Sequence, residues 1–170
     1  MADRIRNVLF LCTGNSARSI LAEALLNRDG AGRYRAYSAG SQPKGEPHPV
    51  ALTLLKELGF PIDGLRSKSW RDFAAAEAPQ MDLIITVCDS AAGETCPIWP
   101  GHPTTAHWGI EDPAAVEGNA QRQAFFKAMT YLQRRISLLL NLPEAELDAL
   151  AWRARVHEIG RLADGGRSAG

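Results

Sequence analysis

No long hydrophobic run occurs in this chain of 170 residues. Near its start, MADRIRNVLFLCTGNS holds only a short apolar stretch before polar residues intervene, too short for a signal-peptide core or a membrane span. Net charge is missing as well. Nineteen Lys and Arg cancel nineteen Asp and Glu, so the composition draws the chain toward neither nucleic acid nor anionic lipid. Any anion site must therefore be local. Cysteine is scarce: Cys12, Cys88 and Cys96 are too few, and odd in number, for a secreted disulfide scaffold. The four histidines (His48, His102, His107, His157) lack paired metal spacing, so they read as structural or surface residues and no metal site is expected. What remains is a chain expected to be cytoplasmic and monomeric, whose thiols are either inert core residues or reactive groups.

The length suits one domain with a real core. Asn7 to Cys12 (NVLFLC) is a continuous apolar run, as in a strand buried on both faces of a parallel sheet. After the polar loop Thr13 to Asn15, helical spacing begins at Ser16, and Ile20, Leu21, Ala24 and Leu25 form a stripe that Asp29-Gly30 ends. Further strands are predicted at Tyr34 to Ala39, Met81 to Val87 and Thr104 to Trp108. Further helices are predicted at Val50 to Leu58 and at Asn119 to Leu142, the latter with a stripe of Phe125, Phe126, Met129, Leu132 and Ile136. Alternating strands and helices indicate an α/β fold with a mostly parallel, four-stranded sheet flanked by helices. The expected organisation is a domain over 1–142, a C-terminal helical extension over 143–162 and a flexible tail over 163–170. In the extension, Leu147, Leu150, Ala151, Ala154 and Ile159 fall near one stripe of a helix from Glu144 to Ile159. That face suits docking onto the domain, with a partner surface as the alternative.

The chemistry concentrates in CTGNSARS. Cys12 stands at a strand end, and five residues later Arg18 and Ser19 open a helix. A loop between strand and helix N-terminus can aim backbone N–H groups inward, where the helix dipole also favours an anion. Thr13, Gly14, Asn15, Ser16, Ala17 and Arg18 are thus the candidate oxyanion cradle. Gly14 lets the backbone curl closely and Asn15 tolerates left-handed dihedrals. Arg18 can fork onto two oxygens of a tetrahedral anion. The same field favours the Cys12 thiolate, to which Ser19 can donate a hydrogen bond. Transfer also needs a proton donor for the departing oxygen. HWGIEDP, residues 107–113, follows the fourth strand on the sheet edge where parallel α/β folds bind ligands. Asp112, stiffened by Pro113, is the candidate acid; Glu111 competes, and a plain turn-capping role for Asp112 is the bland alternative.

These residues resemble the low-molecular-weight tyrosine phosphatase superfamily, with its Cys-x5-Arg-Ser loop and late Asp-Pro, over roughly Asn7 to Leu142. Members that act on phosphotyrosine usually carry a second Cys where Ala17 stands and paired tyrosines after the Asp-Pro. Here Ala114 and Ala115 follow, and a phosphotyrosine ring would have little to stack on. The arsenate reductases built on this fold are more similar, through CTGNSARS, YSAGSQPKG (37–45), RSKSW (66–70), TVCDSAAGETCPIWPG (86–101) and HWGIEDPA (107–114). That resemblance implies reduction of arsenate to arsenite. Cys12 attacks, Asp112 protonates the leaving oxygen, and a Cys12–Cys88 then a Cys88–Cys96 disulfide follow. An external dithiol recycles the enzyme: thioredoxin, or glutathione and glutaredoxin as the alternative, with no bound cofactor. The rival is a phosphatase using Cys12, Arg18 and Asp112 alone. Some relatives bind potassium through residues matching Asn15, Glu23 and Ser38. The fourth position falls near Lys68, whose ammonium is expected to replace the ion.

Overall fold

The structure is a computed structural model that describes residues 5–75, 77–87, 103–142 and 149–161. Its centre is one parallel sheet of β1 (Arg6–Leu11), β2 (Tyr34–Ala39), β3 (Leu83–Thr86) and β4 (Thr104–His107), in the order β2-β1-β3-β4. The central strand β1 pairs with β2 on one side and β3 on the other, and Val8, Leu9 and Phe10 are fully buried. Burial on both faces explains why NVLFLC shows no polar alternation. Val8 and Phe10 join the larger core with α1 (Arg18–Asp29), α2 (Pro49–Glu57) and α3 (Gln121–Leu140). Leu9 and Leu11 face a smaller cluster with Trp70, Phe73, Met81 and Ile84. The expected architecture of helices flanking a four-stranded parallel sheet, with an added C-terminal helix, is the one observed.

Element ends differ where loops hold the chain. The first helix starts at Arg18 rather than Ser16, because Ser16 and Ala17 still belong to the loop after β1. The long helix starts at Gln121, after a 3-10 turn at Gly118–Ala120. Phe126, expected in the buried stripe, is 53% exposed. Phe125, Met129, Leu132 and Ile136 carry the stripe, and a neighbour of Phe125 is turned about 100° away from it.

The C-terminal helix α4 (Ala149–Arg161) buries Trp152, Val156 and Ile159, whereas Ala154, expected inside, is exposed. Leu147 and the Leu150 side chain lie outside what is described. The helix covers β4, the sheet edge that would otherwise be open on that side. Three contacts seat it. Trp108 Nε1 donates to the Val156 carbonyl at 3.2 Å. The Arg6 guanidinium lies 4.5 Å from the centre of the Trp152 ring. At Gly160 a Cβ would stand 2.0 Å from the His107 carbonyl oxygen and 2.7 Å from the Trp108 ring. Gly160→Ala must therefore displace backbone. It is expected to cost about 1–3 kcal/mol, the range for overpacking, read as a melting temperature several degrees below wild type. An unchanged melting temperature would show that α4 is not seated this way.

Candidate active site

Cys12 follows β1 directly and is 5% exposed. A cavity of about 290 Å³ opens beside it, lined by Cys12, Thr13, Gly14, Asn15, Ser16, Ala17 and Arg18 together with Asp112, Ala114, Gln42 and Lys44. The loop residues and the candidate acid, far apart in sequence, are thus brought to one place.

The inner lining of that loop follows from where its carbonyls go. Gln42 N–H donates to the Thr13 oxygen at 2.9 Å, Lys44 N–H to Gly14 at 3.0 Å and His48 N–H to Ser16 at 2.8 Å. Ser67 Oγ also donates to the Gly14 oxygen, at 3.1 Å. All these partners come from the chain outside the loop. In a trans peptide the C=O and the next N–H point in opposite directions, and no peptide among the described residues is cis. Outward carbonyls at Thr13, Gly14 and Ser16 therefore turn the N–H groups of Gly14, Asn15 and Ala17 toward the cavity. Helix α1 begins there with no side-chain cap and no acid in its first turn, so its positive end is also left to face a ligand.

Asn15 is the one non-glycine among the described residues with positive φ, at 45°, and it is fully buried. Two bonds hold it there: Nδ2 donates to Ser19 Oγ at 2.8 Å, and Oδ1 accepts from the Lys68 N–H at 2.7 Å. The sequence assigned the tight curl to Gly14, but its φ is not positive, and the Lys44 stem lies against it. The indispensable close approach is at Gly40, where a Cβ would fall 2.4 Å from the Thr13 oxygen and 2.5 Å from that of Cys12. Nothing in YSAGSQ marks that role without the structure.

Beneath the loop, Ser38 Oγ donates to Glu23 Oε1 at 2.5 Å, and Lys68 Nζ stands 3.8 Å from the same oxygen. Lys68 Nζ also donates to the Arg66 carbonyl at 2.7 Å. Burial pushes the Glu23 carboxyl above its ordinary range, against the pull of Lys68 and the Ser38 hydroxyl. Burial likewise pushes the Lys68 ammonium down, against Glu23. Desolvation thus outweighs the attraction within the pair.

The acid loop is clamped by two guanidinium groups. Arg18 Nη1 donates to the Ile110 carbonyl at 2.9 Å, and its Nη2 stands 3.7 Å from Asp112 Oδ2. Arg135, fully buried on α3, donates from Nη1 to the Gly109 carbonyl at 3.0 Å. Arg18 Nε is buried and has no hydrogen-bond partner among the described residues. Asp112 Oδ1 accepts from the Ala114 N–H at 3.0 Å, so the capping role and the place in the cavity hold together. Glu111 lines a neighbouring hollow with Val116 and Tyr131 rather than the Cys12 cavity. Ser19 lies under the loop, fully buried, as the acceptor from Asn15. Cys88 and Cys96 lie outside the described residues. Sequence reasoning missed Gln42, Lys44, Gly40 and Arg135. The first three sit in a Pro- and Gly-marked loop that read as a connector, and a helical Arg gives no sign of being buried.

A strand-loop-helix anion cradle carrying a cysteine, faced by an Asp-Pro loop, defines the class: the chain belongs to the low molecular weight phosphotyrosine protein phosphatase family, matched over residues 7–150. Within that family it is similar to the arsenate reductase of Bacillus licheniformis, with 36% identity over 124 residues, covering 72% of this chain and 85% of that protein. A solved arsenate reductase in the phosphate binding state superposes with a TM-score of 0.66 at 27% identity, over 80% of this chain and 97% of the other. The thioredoxin-dependent arsenate reductase of Corynebacterium glutamicum gives 0.59 at 28% identity, over 82% of this chain and 62% of the other.

The buried pair under the loop has a measurable consequence. Lys68→Met leaves the Glu23 carboxylate without its cation and is expected to cost about 3 kcal/mol at neutral pH, whereas adding Glu23→Gln recovers most of that loss. Because folding raises the Glu23 pKa, the folded chain binds the proton more tightly. Its contribution to stability is full below the ordinary glutamate value and is lost as pH rises through the raised one. Glu23→Gln should remove that slope from urea midpoints measured against pH. Equal losses in the single and double variants would reject the pairing.

Proposed function

We propose that this chain reduces arsenate to arsenite. The observation that carries the reading is the meeting of Cys12, Arg18 and Asp112 around one small cavity whose lining, among the described residues, includes Ala114 and no aromatic ring. Arsenate is held by the inward N–H groups of the loop and by Arg18, whose buried Nε is available as a donor. The Cys12 thiolate forms a bond to arsenic as an arsenic–oxygen bond breaks, and Asp112 supplies the proton with which that oxygen leaves as water. Ser19, with its oxygen engaged by Asn15, has its hydroxyl proton to give to the Cys12 sulfur.

Reduction needs a second thiol. The Cys88 thiolate attacks the Cys12 sulfur, a disulfide forms, and the electron pair of the arsenic–sulfur bond passes to arsenic, which leaves as arsenite. Cys96 then attacks Cys88 and frees Cys12, and an external dithiol, thioredoxin in a reducing cytoplasm, reduces the Cys88–Cys96 disulfide. Val87, which precedes Cys88 in the sequence, donates to the Leu11 carbonyl at 2.9 Å and accepts from the Ile110 N–H at 3.2 Å. Val87 is thus bonded between Leu11, which precedes Cys12, and Ile110, whose carbonyl Arg18 holds. Similarity to proteins named arsenate reductase, one of them thioredoxin-dependent, supports the same reading.

Hydrolysis of phosphate esters uses the same three groups and water. Among the described residues that line the cavity none is aromatic, so a phosphotyrosine ring finds no stacking partner there and weak turnover of aryl phosphates is the expected side activity. Lys68 serves in place of a monovalent cation, and added potassium at constant ionic strength should leave activity unchanged.

Arsenate turnover with thioredoxin, thioredoxin reductase and NADPH tests the relay. Cys12→Ser, Cys88→Ser and Cys96→Ser should each fall to background, and Asp112→Asn by about 10²- to 10⁴-fold, the range for loss of a general acid. Full activity in both Cys88→Ser and Cys96→Ser would overturn the relay. Efficient aryl phosphate hydrolysis without arsenate turnover would favour the phosphatase. Turnover only with glutathione and glutaredoxin would reassign the reductant.

A further inference from the structure

A charge ledger of the cavity exposes a shortfall. A thiolate and a doubly charged oxyanion must approach each other there, yet Arg18 brings one positive charge, and its Nη1 is engaged by the Ile110 carbonyl. Its Nη2 also faces the Asp112 carboxyl at 3.7 Å. Among the described residues lining the cavity, the other cation is Lys44.

Lys44 is fixed at its root and aimed by its stem. Its N–H bonds the Gly14 carbonyl at 3.0 Å, two residues after Gln42 makes the same kind of bond to Thr13 at 2.9 Å. Its aliphatic carbons lie along Gly14, where a Cβ would come within 3.1 Å of Cε and 3.4 Å of Cγ. The residue itself is exposed, and among the described residues its ammonium forms no ion pair with a carboxylate. A stem packed on the anion loop, ending in an uncommitted cation at the cavity rim, has the layout of a ligand-facing group.

We propose that Lys44 is the second cation of the oxyanion site, a specificity residue that makes the cavity favour a small doubly charged oxyanion over a singly charged one. This rests on the reading of the cavity as a tetrahedral-oxyanion site, but not on what happens to the oxyanion afterward. Gly14 shares in it, since a side chain there would press on the Lys44 stem and push it aside by a few tenths of an ångström.

The test uses the full, reduced chain and inorganic phosphate as the probe. Phosphate protection of Cys12 from iodoacetamide is followed by mass spectrometry of the Cys12 peptide. Lys44→Met keeps an unbranched stem over Gly14 and removes the charge alone. It should raise the protecting phosphate concentration about 5- to 10-fold, as one rim charge at partial screening allows, and flatten its dependence on ionic strength. Lys44→Arg should restore wild-type protection and Lys44→Glu should weaken it beyond Met. Between pH values where phosphate is singly and doubly charged, the wild type should prefer the dianion more strongly than Lys44→Met does. In arsenate turnover the same variant should raise KM by a similar factor with kcat changed less than about twofold. Equal phosphate protection in wild type and Lys44→Met, or failure of Arg to rescue, overturns the proposal. Lys44-dependent protection in a chain that turns over no arsenate would sustain the proposal while rejecting the reductase reading.

Discussion

A backbone loop can offer N–H groups to an anion only if its carbonyls are satisfied on the other side. Between Cys12 and Ala17 that condition is met by chain distant from the loop. Gln42, Lys44 and His48 take the Thr13, Gly14 and Ser16 carbonyls from one flank, and Ser67 takes Gly14 from another. Remove those partners and the peptides are free to rotate, since each outward carbonyl would lose a bond worth about 1 kcal/mol and more where water cannot replace it. The close approach of Gly40 to the Cys12 and Thr13 oxygens shows how little slack the seam has. The inward direction of the loop N–H groups and the start of α1 both depend on this seam.

The acid loop is held on the same principle from the opposite side. Its Gly109 and Ile110 carbonyls accept from Arg135 and Arg18, and its first residue, Trp108, is pinned to α4 through Val156. Arg18 thereby links both halves of the site, since one guanidinium bonds the acid loop and projects from the anion loop. The C-terminal helix begins at Ala149, so nearly all of it lies past the family match at residue 150. It nevertheless seats on His107 and Trp108, the residues that lead into the Asp112 loop. Edge covering and loop support are the same contacts.

What the sequence made legible was what it encodes locally. NVLFLC followed by CTGNSARS declares strand, loop and helix through the change from a continuous run to helical spacing, and the sheet follows from the alternation. The meeting of Cys12, Arg18 and Asp112 at one cavity was anticipated because thiol, guanidinium and carboxyl have few other reasons to stand in such loops. Gly40 and Lys44 were not readable, because their roles exist only once the segment after β2 folds back along the loop. Ala154 and Phe126 were misplaced for a simpler reason. A stripe drawn through apolar residues cannot distinguish a small or surface-facing side chain from one that meets the core, and Trp152 and Val156 took the buried face instead.

The costly feature lies under the loop. Glu23 and Lys68 are shifted in the directions that burial dictates, so the pair does not stabilise the fold as a well-solvated ion pair would. Its value is geometric. Lys68 gives its N–H to the Asn15 side chain and its carbonyl to the Gly40 N–H at 2.9 Å, the two places where the loop is most constrained. Anchoring the Lys68 side chain against Glu23 and Ser38 fixes that backbone segment, and with it the left-handed turn at Asn15. An apolar replacement of the pair can match its contribution to stability, but it would not bind the Lys68 segment in a single register. A site whose N–H groups must converge on one point to within a fraction of an ångström gains more from that register than from added stability.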